Sequence, residues 1–209
     1  MTKIKNIIFD LGGVIINLDI PLTIKEFNQF THQPFEKLYN QLQQNELFDL
    51  FDKGLVSEQT FFKQLNNLIG EQASTQQLMN AWNAMLLDFP LHRLQLLQSL
   101  KPKYRTFLLS NTNETHITAF ENILWQEHQL KSLDTFFEKS YYSCRIGMRK
   151  PEIDIFQRVV QENNLIPQET LFIDDSPQHI EGAIKIGLQA VLLDKHKDIS
   201  TLLKELEIY

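Results

Sequence analysis

The chain has 209 residues, enough for one sizeable core or for a core with a small appended domain. It is 43% hydrophobic and 22% charged, as globular proteins usually are, and no apolar run approaches the ~18 residues of a membrane span. The formal net charge of −6 argues against a nucleic-acid-binding protein, because such proteins usually present a basic face.

Two features of the sequence predict the cellular compartment of the protein: its number of cysteines and the residues at the start of the chain. Cys144 is the one cysteine of the sequence, so no intramolecular disulfide can form. The first residues lead almost directly into an apolar strand pattern around Ile7, without the signature of a signal peptide. We therefore expect a cytoplasmic protein without a membrane partner.

Five short segments predict parallel strands that are buried on both faces. Three of them, in NIIFDL, TFLLS and TLFID, are nearly continuous apolar runs, as expected for strands covered by helices on both sides. The segment SYYS is weaker and is also compatible with a loop. In chain order the predicted strands are Ile4–Leu11, Arg105–Ser110, Ser140–Ser143, Thr170–Asp174 and Ala190–Leu193.

Helical patterns separate the later strands. Pro151 sits at the expected first position of one helix and is followed by apolar residues at helical spacing. Pro177 has the same role for the next helix. Alternating strands and helices predict an α/β fold with a doubly wound, Rossmann-like parallel sheet.

The region 17–89 interrupts this alternation. It is rich in Gln, Asn, Phe and Leu, it has no convincing strand, and Ser57 can cap a helix within it. We therefore predict a helical domain over 17–89, inserted after the first strand into an α/β core made of 1–16 and 90–209. Two apolar stripes at helical spacing would form its core: Phe61, Leu65 and Leu68, and then Leu78, Trp82 and Met85.

Polar residues follow three of the predicted strands. Asp10 ends the first, Ser110 and Asn111 end the second, and the pair Asp174-Asp175 ends the fourth. Ligands of an open parallel sheet bind beyond the carboxyl ends of its strands, so these residues should converge.

A metal site is predicted by the three carboxylates among these residues. Asp10, Asp174 and Asp175 would put three negative charges in one cleft, an arrangement that needs a cation. Oxygen ligands favour a hard ion such as Mg²⁺, which also bridges to phosphate. The alternative is that Asp175 or Ser176 only caps the following helix.

Phosphate-binding groups are expected around the same cleft. Lys150, in GMRKPE, can offset the carboxylates and bind a phosphate oxygen as a point charge, or it is a solvated surface lysine. The side chain of the adjacent Arg149 should point elsewhere. The Ser110 hydroxyl and the amides of Asn111 and Thr112 would donate hydrogen bonds to the same phosphate.

The remaining chemically capable residues have simpler interpretations. Asn113 and Glu114 either cap a helix or reach a substrate. The six histidines show no paired metal-ligand spacing, and we interpret them as surface or core residues. Cys144 has no visible histidine partner and is interpreted as structural.

Four motifs in order make the chain resemble the haloacid dehalogenase-like (HAD) superfamily of hydrolases. They are Asp10 in FDLGGV, Ser110 in LLSNTN, Lys150 in GMRKPE and Asp174-Asp175 in FIDDS. The resemblance covers about 1–16 and 90–200, and the helical insert falls where members with an α-helical C1 cap carry theirs. The motif sequences DLGGV and GMRKPE are most similar to those of the sugar-phosphate phosphatases, including glucose-1-phosphate phosphatase-like members.

The resemblance implies a Mg²⁺-dependent phosphatase that hydrolyses a small phosphorylated metabolite, first of all a sugar phosphate, through an aspartyl-phosphate on Asp10. The metal ligands it implies are the Asp10 side chain, the backbone carbonyl of Gly12 and Asp175. Asp174 would act through water or by orienting Lys150. The residues implied to hold the phosphoryl oxygens are Ser110, Asn111 and Lys150.

Gly12 departs from the pattern of the superfamily, whose phosphatases mostly carry a second Asp at this position. That Asp protonates the leaving alcohol, and such a group contributes roughly 10²–10⁴-fold to the rate. One explanation is that the substrate has a good leaving group such as the anomeric oxygen of a sugar 1-phosphate. A second is that Asp19 or a group from the insert takes the place of the missing acid. A third is that the protein binds a phosphorylated ligand with little turnover. Metal-independent haloacid dehalogenases also lack this Asp, but they would not need the pair Asp174-Asp175.

Overall fold

The computed structural model describes residues 3–31, 33–39, 46–70 and 73–209. All five predicted strands are present, including the segment SYYS. The first strand is shorter than predicted at both of its ends. The strands are β1 Asn6–Phe9, β2 Arg105–Ser110, β3 Lys139–Tyr142, β4 Thr170–Asp174 and β5 Gln189–Leu192.

The strands form one parallel sheet in the order β3-β2-β1-β4-β5. This is the strand order of a Rossmann-like doubly wound fold, so the predicted fold class is confirmed. β1 lies in the middle, with Phe9 paired to Leu108 of β2 and to Ile173 of β4. The strand order reverses at β1. Sheets of this kind bind ligands beyond the carboxyl ends of their strands at such a reversal.

Helices surround the sheet, and those that directly follow β1 in the chain form a separate group. We call that group, α1 to α4, the helical insert. Among the described residues no helix combines the length and the apolar character needed to cross a membrane. The helices are α1 Ile20–Phe27, α2 Glu46–Asp52, α3 Glu58–Ile69, α4 Thr75–Asn83, α5 Leu91–Leu100, α6 Glu114–His128, α7 Ser143–Ile146, α8 Ile153–Glu162, α9 Pro177–Lys185 and α10 Ile199–Glu205.

Each face of the sheet carries its own apolar cluster, and the insert has a third. Ile7 belongs to the cluster on one face of the sheet and Ile8 to the cluster on the other, as the alternation of side chains along a strand requires. The cluster of the insert is aromatic, and the rings of Phe51 and Phe61 stack with their centroids 3.9 Å apart. Such ring pairs add about 0.5–1.5 kcal/mol each beyond the area they bury.

The predicted stripes of the insert are nearly correct. Leu78, Trp82 and Met85 are all buried. At the end of α3 the prediction names the wrong residue, since Ile69 is buried whereas Leu68 is 45% exposed.

Two connecting segments between the insert and the core run side by side. The backbone N–H of Asn17 donates to the carbonyl of Asp88 at 3.0 Å, and the N–H of Leu87 donates back to the carbonyl of Asn17 at 3.0 Å. Leu18 and Leu86 face each other across this antiparallel bridge. We propose the domain boundaries, after residue 16 and after residue 89, beside these cross-links.

Two of the three predicted helix starts are confirmed. The Ser57 hydroxyl accepts from the N–H of Thr60 at 3.2 Å, and Pro177 is the first residue of α9. The prediction for Pro151 is wrong, because α8 begins at Ile153. The Lys150–Pro151 peptide bond is cis, and Pro151 belongs to the turn before the helix.

Candidate active site

Asp10 leaves β1 directly beside the end of β4. Its N–H donates to the carbonyl of Ile173 at 2.9 Å, which continues the strand pairing by one bond. Its side chain is almost buried, with the residue 7% exposed, and the fully buried Asp174 ends the neighbouring strand. The two carboxylates therefore lie close together because their strands are adjacent and in register.

Lys150 lies between these two carboxylates. Its Nζ donates to Asp10 Oδ1 at 2.7 Å and to Asp174 Oδ2 at 2.6 Å, and no part of the residue is exposed. Burial alone would lower the pKa of Lys150, but the two carboxylates outweigh it and raise the pKa above its ordinary value. Lys150 is therefore a buried cation of the site, and the alternative of a surface lysine is wrong.

Asn111 fixes the backbone that carries this lysine. Its Nδ2 donates to the carbonyl of Lys150 at 2.8 Å, and the N–H of Lys150 donates back to Asn111 Oδ1 at 2.8 Å. Ser110 is buried beside it and lines the same cleft, with its Oγ 3.5 Å from the Asn111 carbonyl oxygen. The N–H of Thr112 donates to Ser143 Oγ at 2.8 Å, so this amide is engaged within the protein and we assign it no phosphate contact.

Asp174 is held by three groups. Besides Lys150, the N–H of Ser176 donates to Asp174 Oδ1 at 2.8 Å, and His179 Nδ1 lies 2.9 Å from the same oxygen. Burial would raise the pKa of Asp174, but Lys150 and His179 outweigh it and hold the pKa below its ordinary value. In the described part of the chain no side chain caps the start of α9, so the interpretation of Asp175 or Ser176 as a mere helix cap is wrong.

His179 is a site residue that the sequence analysis assigned to surface or core. Its ring contacts Asp174 and lines the cleft. Since a carboxylate only accepts hydrogen bonds, His179 Nδ1 carries a proton in this contact. Its position in the first turn of a helix that follows a strand-end carboxylate is the signal in the sequence. His32, another of the six histidines, lies outside the described residues.

Asp175 completes a group of three carboxylates. One oxygen from each of Asp10, Asp174 and Asp175 lies within 4.8 Å of the others. Burial, together with the charges of Asp10 and Asp174, raises the pKa of Asp175 to about 7. Lys150 is bonded into this group, and the oxygen donors with their excess negative charge fit a hard divalent ion.

The two glycines after Asp10 make room for this arrangement in different ways. Gly13 has a positive φ of 70°, and a Cβ there would lie 2.5 Å from Asp175 Oδ2, so a side chain would displace that carboxylate. A Cβ on Gly12 would lie 2.6 Å from Leu18 Cδ1. The position that a Cβ on Gly12 would take is therefore occupied by the apolar side chain of Leu18.

A cavity of about 120 Å³ opens above the carboxylates, between the core and the helical insert. Asp19, considered above as a substitute acid, is not among the described residues that line it. The core contributes Asp10, Gly12, Ser110, Asn111, Lys150 and Asp175 to its wall, and the insert contributes Tyr39, Asp52, Trp82 and Met85.

Asp52 and Arg149 face each other across the boundary between insert and core. Asp52 accepts a hydrogen bond from Asn113 Nδ2 at 3.3 Å, and its Oδ2 lies 3.9 Å from Arg149 Nη2. Burial raises the pKa of Asp52 to about 6, although Arg149 acts in the opposite direction. Arg149 also pairs with Asp49.

Asn113 begins α6, and its Oδ1 accepts from the N–H of His116 at 3.0 Å, so the capping interpretation of this residue is confirmed. His116 stacks on Trp82 with ring centroids 4.9 Å apart. Its Nε2 lies 3.1 Å from the Trp82 carbonyl, and since a carbonyl only accepts, this nitrogen carries the proton. Burial lowers the pKa of His116 to about 4, so the ring is neutral at physiological pH.

A family model described as haloacid dehalogenase-like hydrolase matches residues 4–187. The chain belongs to the haloacid dehalogenase-like hydrolases. The resemblance inferred from the four sequence motifs is thereby confirmed.

This haloacid dehalogenase-like hydrolase is similar to phosphoric monoester hydrolases. It is 29% identical over 186 residues to a D-ribitol-5-phosphate phosphatase of Bacteroides thetaiotaomicron, an alignment that covers 89% of this chain and 90% of the relative.

Two solved structures share its architecture. One is a HAD family enzyme of the same organism, as wild-type protein in complex with magnesium and inorganic phosphate, with a TM-score of 0.84, 35% identity and coverage of 95% of this chain and 98% of that chain. The other is a HAD-like family hydrolase of Porphyromonas gingivalis, with a TM-score of 0.86, 32% identity and 98% coverage of both chains.

Proposed function

We propose that this hydrolase is a Mg²⁺-dependent phosphatase with Asp10 as its nucleophile. The observation that carries the proposal is the buried contact of Lys150 with Asp10 and Asp174 at the floor of the cavity. This contact holds an oxygen of the Asp10 carboxylate in a fixed direction beside the Lys150 ammonium. Phosphoryl transfer is catalysed mainly by such positioning and charge neutralisation.

The chemistry of Asp10 is a double displacement. A carboxylate oxygen of Asp10 bonds to phosphorus while the ester P–O bond breaks, and the alcohol leaves with a proton taken from water. Water then attacks the phosphorus of the aspartyl-phosphate, which releases inorganic phosphate and restores Asp10. Lys150 keeps its ammonium beside Asp10. The Ser110 hydroxyl and the backbone N–H of Asn111 would donate to the phosphoryl oxygens from the end of β2, since the Asn111 side chain is engaged with the Lys150 backbone.

The residues that would hold Mg²⁺ are Asp10, the backbone carbonyl of Gly12 and Asp175. When bound, the ion supplies positive charge against the phosphoryl oxygens. For Asp174 we favour the role of orienting Lys150, because both of its oxygens are already engaged by neighbouring groups. Support for this ion comes from the oxygen-only donor group and from the magnesium and phosphate in the complex of the related enzyme.

A short sugar or polyol phosphate is the substrate class that we propose. The cavity of about 120 Å³ suits a small molecule, and the related Bacteroides protein is a D-ribitol-5-phosphate phosphatase. We expect the reaction to take place in the cytoplasm, in line with the single cysteine.

Gly12 favours one alternative, a relative that binds phosphorylated ligands with little turnover, because no acid stands beside the nucleophile there. A metal-independent dehalogenase is disfavoured by the third carboxylate, since such a reaction has no use for a charge cluster that needs a cation.

The test is phosphate release from sugar, polyol, nucleotide and aryl phosphates with Mg²⁺ and with a chelator. We expect turnover of a polyol or sugar phosphate that disappears when the metal is chelated. Binding of these esters without release of phosphate would favour the non-catalytic relative, and halide release from haloacids in chelator would favour the dehalogenase.

A further inference from the structure

Asp52 and Arg149 lie on the wall of the cavity where the insert meets the core. Asp52 is the last residue of α2, and Arg149 immediately precedes Lys150. Lys150 contacts Asp10, so the peptide bond between Arg149 and Lys150 ties this pair to the reacting centre. Asp10, Asp52 and Arg149 line the same cavity of about 120 Å³, so a small molecule bound there contacts both the nucleophile and the pair.

The hydrogen-bonding capacity of the pair is incompletely used. The 3.9 Å between Asp52 Oδ2 and Arg149 Nη2 exceeds an ordinary N–H···O hydrogen bond of about 2.7–3.2 Å. Arg149 Nε is buried and has no hydrogen-bond partner among the residues that the structure describes. A buried donor without a partner costs stability, and the same guanidinium presents Nη2 toward Asp52 at the cavity wall.

A hydroxyl group matches this arrangement. It donates one hydrogen bond and accepts others, so it satisfies the Asp52 carboxylate and the Arg149 guanidinium together. An alkyl chain does neither. A second anionic group is repelled by Asp52, which is almost buried and cannot turn to water. Above about pH 6, where the raised pKa of Asp52 lies, the carboxylate is charged and accepts strongly.

We propose that Asp52 and Arg149 form a hydroxyl-recognition site that selects polyol and sugar phosphates over alkyl phosphates. The proposal rests on the phosphatase function proposed above. It makes Asp52 a specificity-determining residue from the insert, while the chemistry at phosphorus stays with the core. The substrate hydroxyl bridges the two side chains, whose facing oxygen and nitrogen are too far apart to bond each other well.

The experiment compares two primary phosphate esters with five-carbon chains, D-ribitol 5-phosphate and n-pentyl phosphate. Their leaving groups are both primary alcohols, so a difference in kcat/KM reports recognition of the hydroxyls. We expect the wild-type protein to prefer the ribitol ester and Asp52→Leu to reduce that preference about 10- to 100-fold, mostly through KM, as loss of a hydrogen bond to a charged group implies.

The denaturant unfolding transition of Asp52→Leu checks that the variant is folded, and the ratio of kcat/KM for the two esters reports the hydroxyl site. Asp52→Asn, which keeps the shape, should lose part of the preference. The matched control is Glu46→Gln, an exposed residue on the same helix that does not line the cavity, where the preference should stay within about twofold.

An unchanged preference in Asp52→Leu would overturn the hydroxyl site while leaving the phosphatase intact. Equal loss on both esters in both Asp52 variants would overturn it too, because Asp52 would then serve the reaction or the fold. If the wild-type protein hydrolyses neither these esters nor an aryl phosphate with Mg²⁺, the phosphatase proposal fails first, and the hydroxyl site with it.

Discussion

Asn111 and Lys150 are joined by two hydrogen bonds of 2.8 Å each, from Asn111 Nδ2 to the Lys150 carbonyl and from the Lys150 N–H to Asn111 Oδ1. The end of β2 thereby holds the turn that delivers the lysine ammonium between Asp10 and Asp174. The side chain that follows β2 thus supports the conformation of the chain before α8.

Asn111→Ala should loosen this turn and misplace Lys150. We expect kcat on an aryl phosphate to fall about 10- to 100-fold, because small displacements of a positioned group cost this much. Measured kcat and KM, with the unfolding free energy alongside, separate the effect from a loss of folding. A variant with normal kcat would mean that the turn is held without Asn111.

Lys150→Met should destabilise the protein strongly in the absence of metal. It leaves Asp10 and Asp174 buried beside each other without their shared cation, and removal of one partner from a buried ion pair costs about 3–5 kcal/mol. Chemical denaturation in chelator measures the difference. Lys197→Met, which removes a partly exposed pair with Glu205, is the control and should cost no more than about 1 kcal/mol. Equal small losses in both variants would contradict the buried arrangement.

Asp52 should make stability fall as the pH rises. Its pKa is about 6 in the folded protein, above the ordinary 3.8 that applies when the chain is unfolded, so the folded state binds this proton more tightly. The stabilisation is complete below about pH 4 and is lost as the pH rises through about 6.

Asp52→Asn removes this titration. It should be more stable than wild type by about 1–3 kcal/mol at neutral pH, and the gain should vanish near pH 4. Denaturant titrations of both proteins at several pH values measure it. Parallel pH dependences of the two proteins would show that Asp52 ionises without penalty, in conflict with its burial.

Much of the core and its carboxylates could be predicted from the sequence, because strands covered on both faces read as apolar runs with polar residues at their ends. Asp10 and Asp174 follow such runs directly, and parallel pairing in register brings them together. Lys150 could also be predicted, since few side chains can offset the negative charge of buried carboxylates.

The contribution of the insert could not be predicted in this way. Asp52 lies on the short helix α2, and the local sequence of such a helix says nothing about the body against which it packs. Arg149 was expected to point away from its neighbour Lys150, yet it lines the same cavity because it reaches the insert instead. Before Ile153 the backbone of Lys150 bonds to Asn111, a contact between segments far apart in the chain that no local pattern encodes.

The most direct test of Asp10 as the nucleophile is acid quenching during turnover of the proposed substrate class, followed by mass analysis of the peptide that contains residues 6–19. We predict that this peptide gains the mass of one phosphoryl group, that hydroxylamine removes it as expected for an acyl phosphate, and that Asp10→Asn abolishes both the adduct and phosphate release. Full phosphate release by Asp10→Asn, or a phosphoryl group on another residue, would contradict the account.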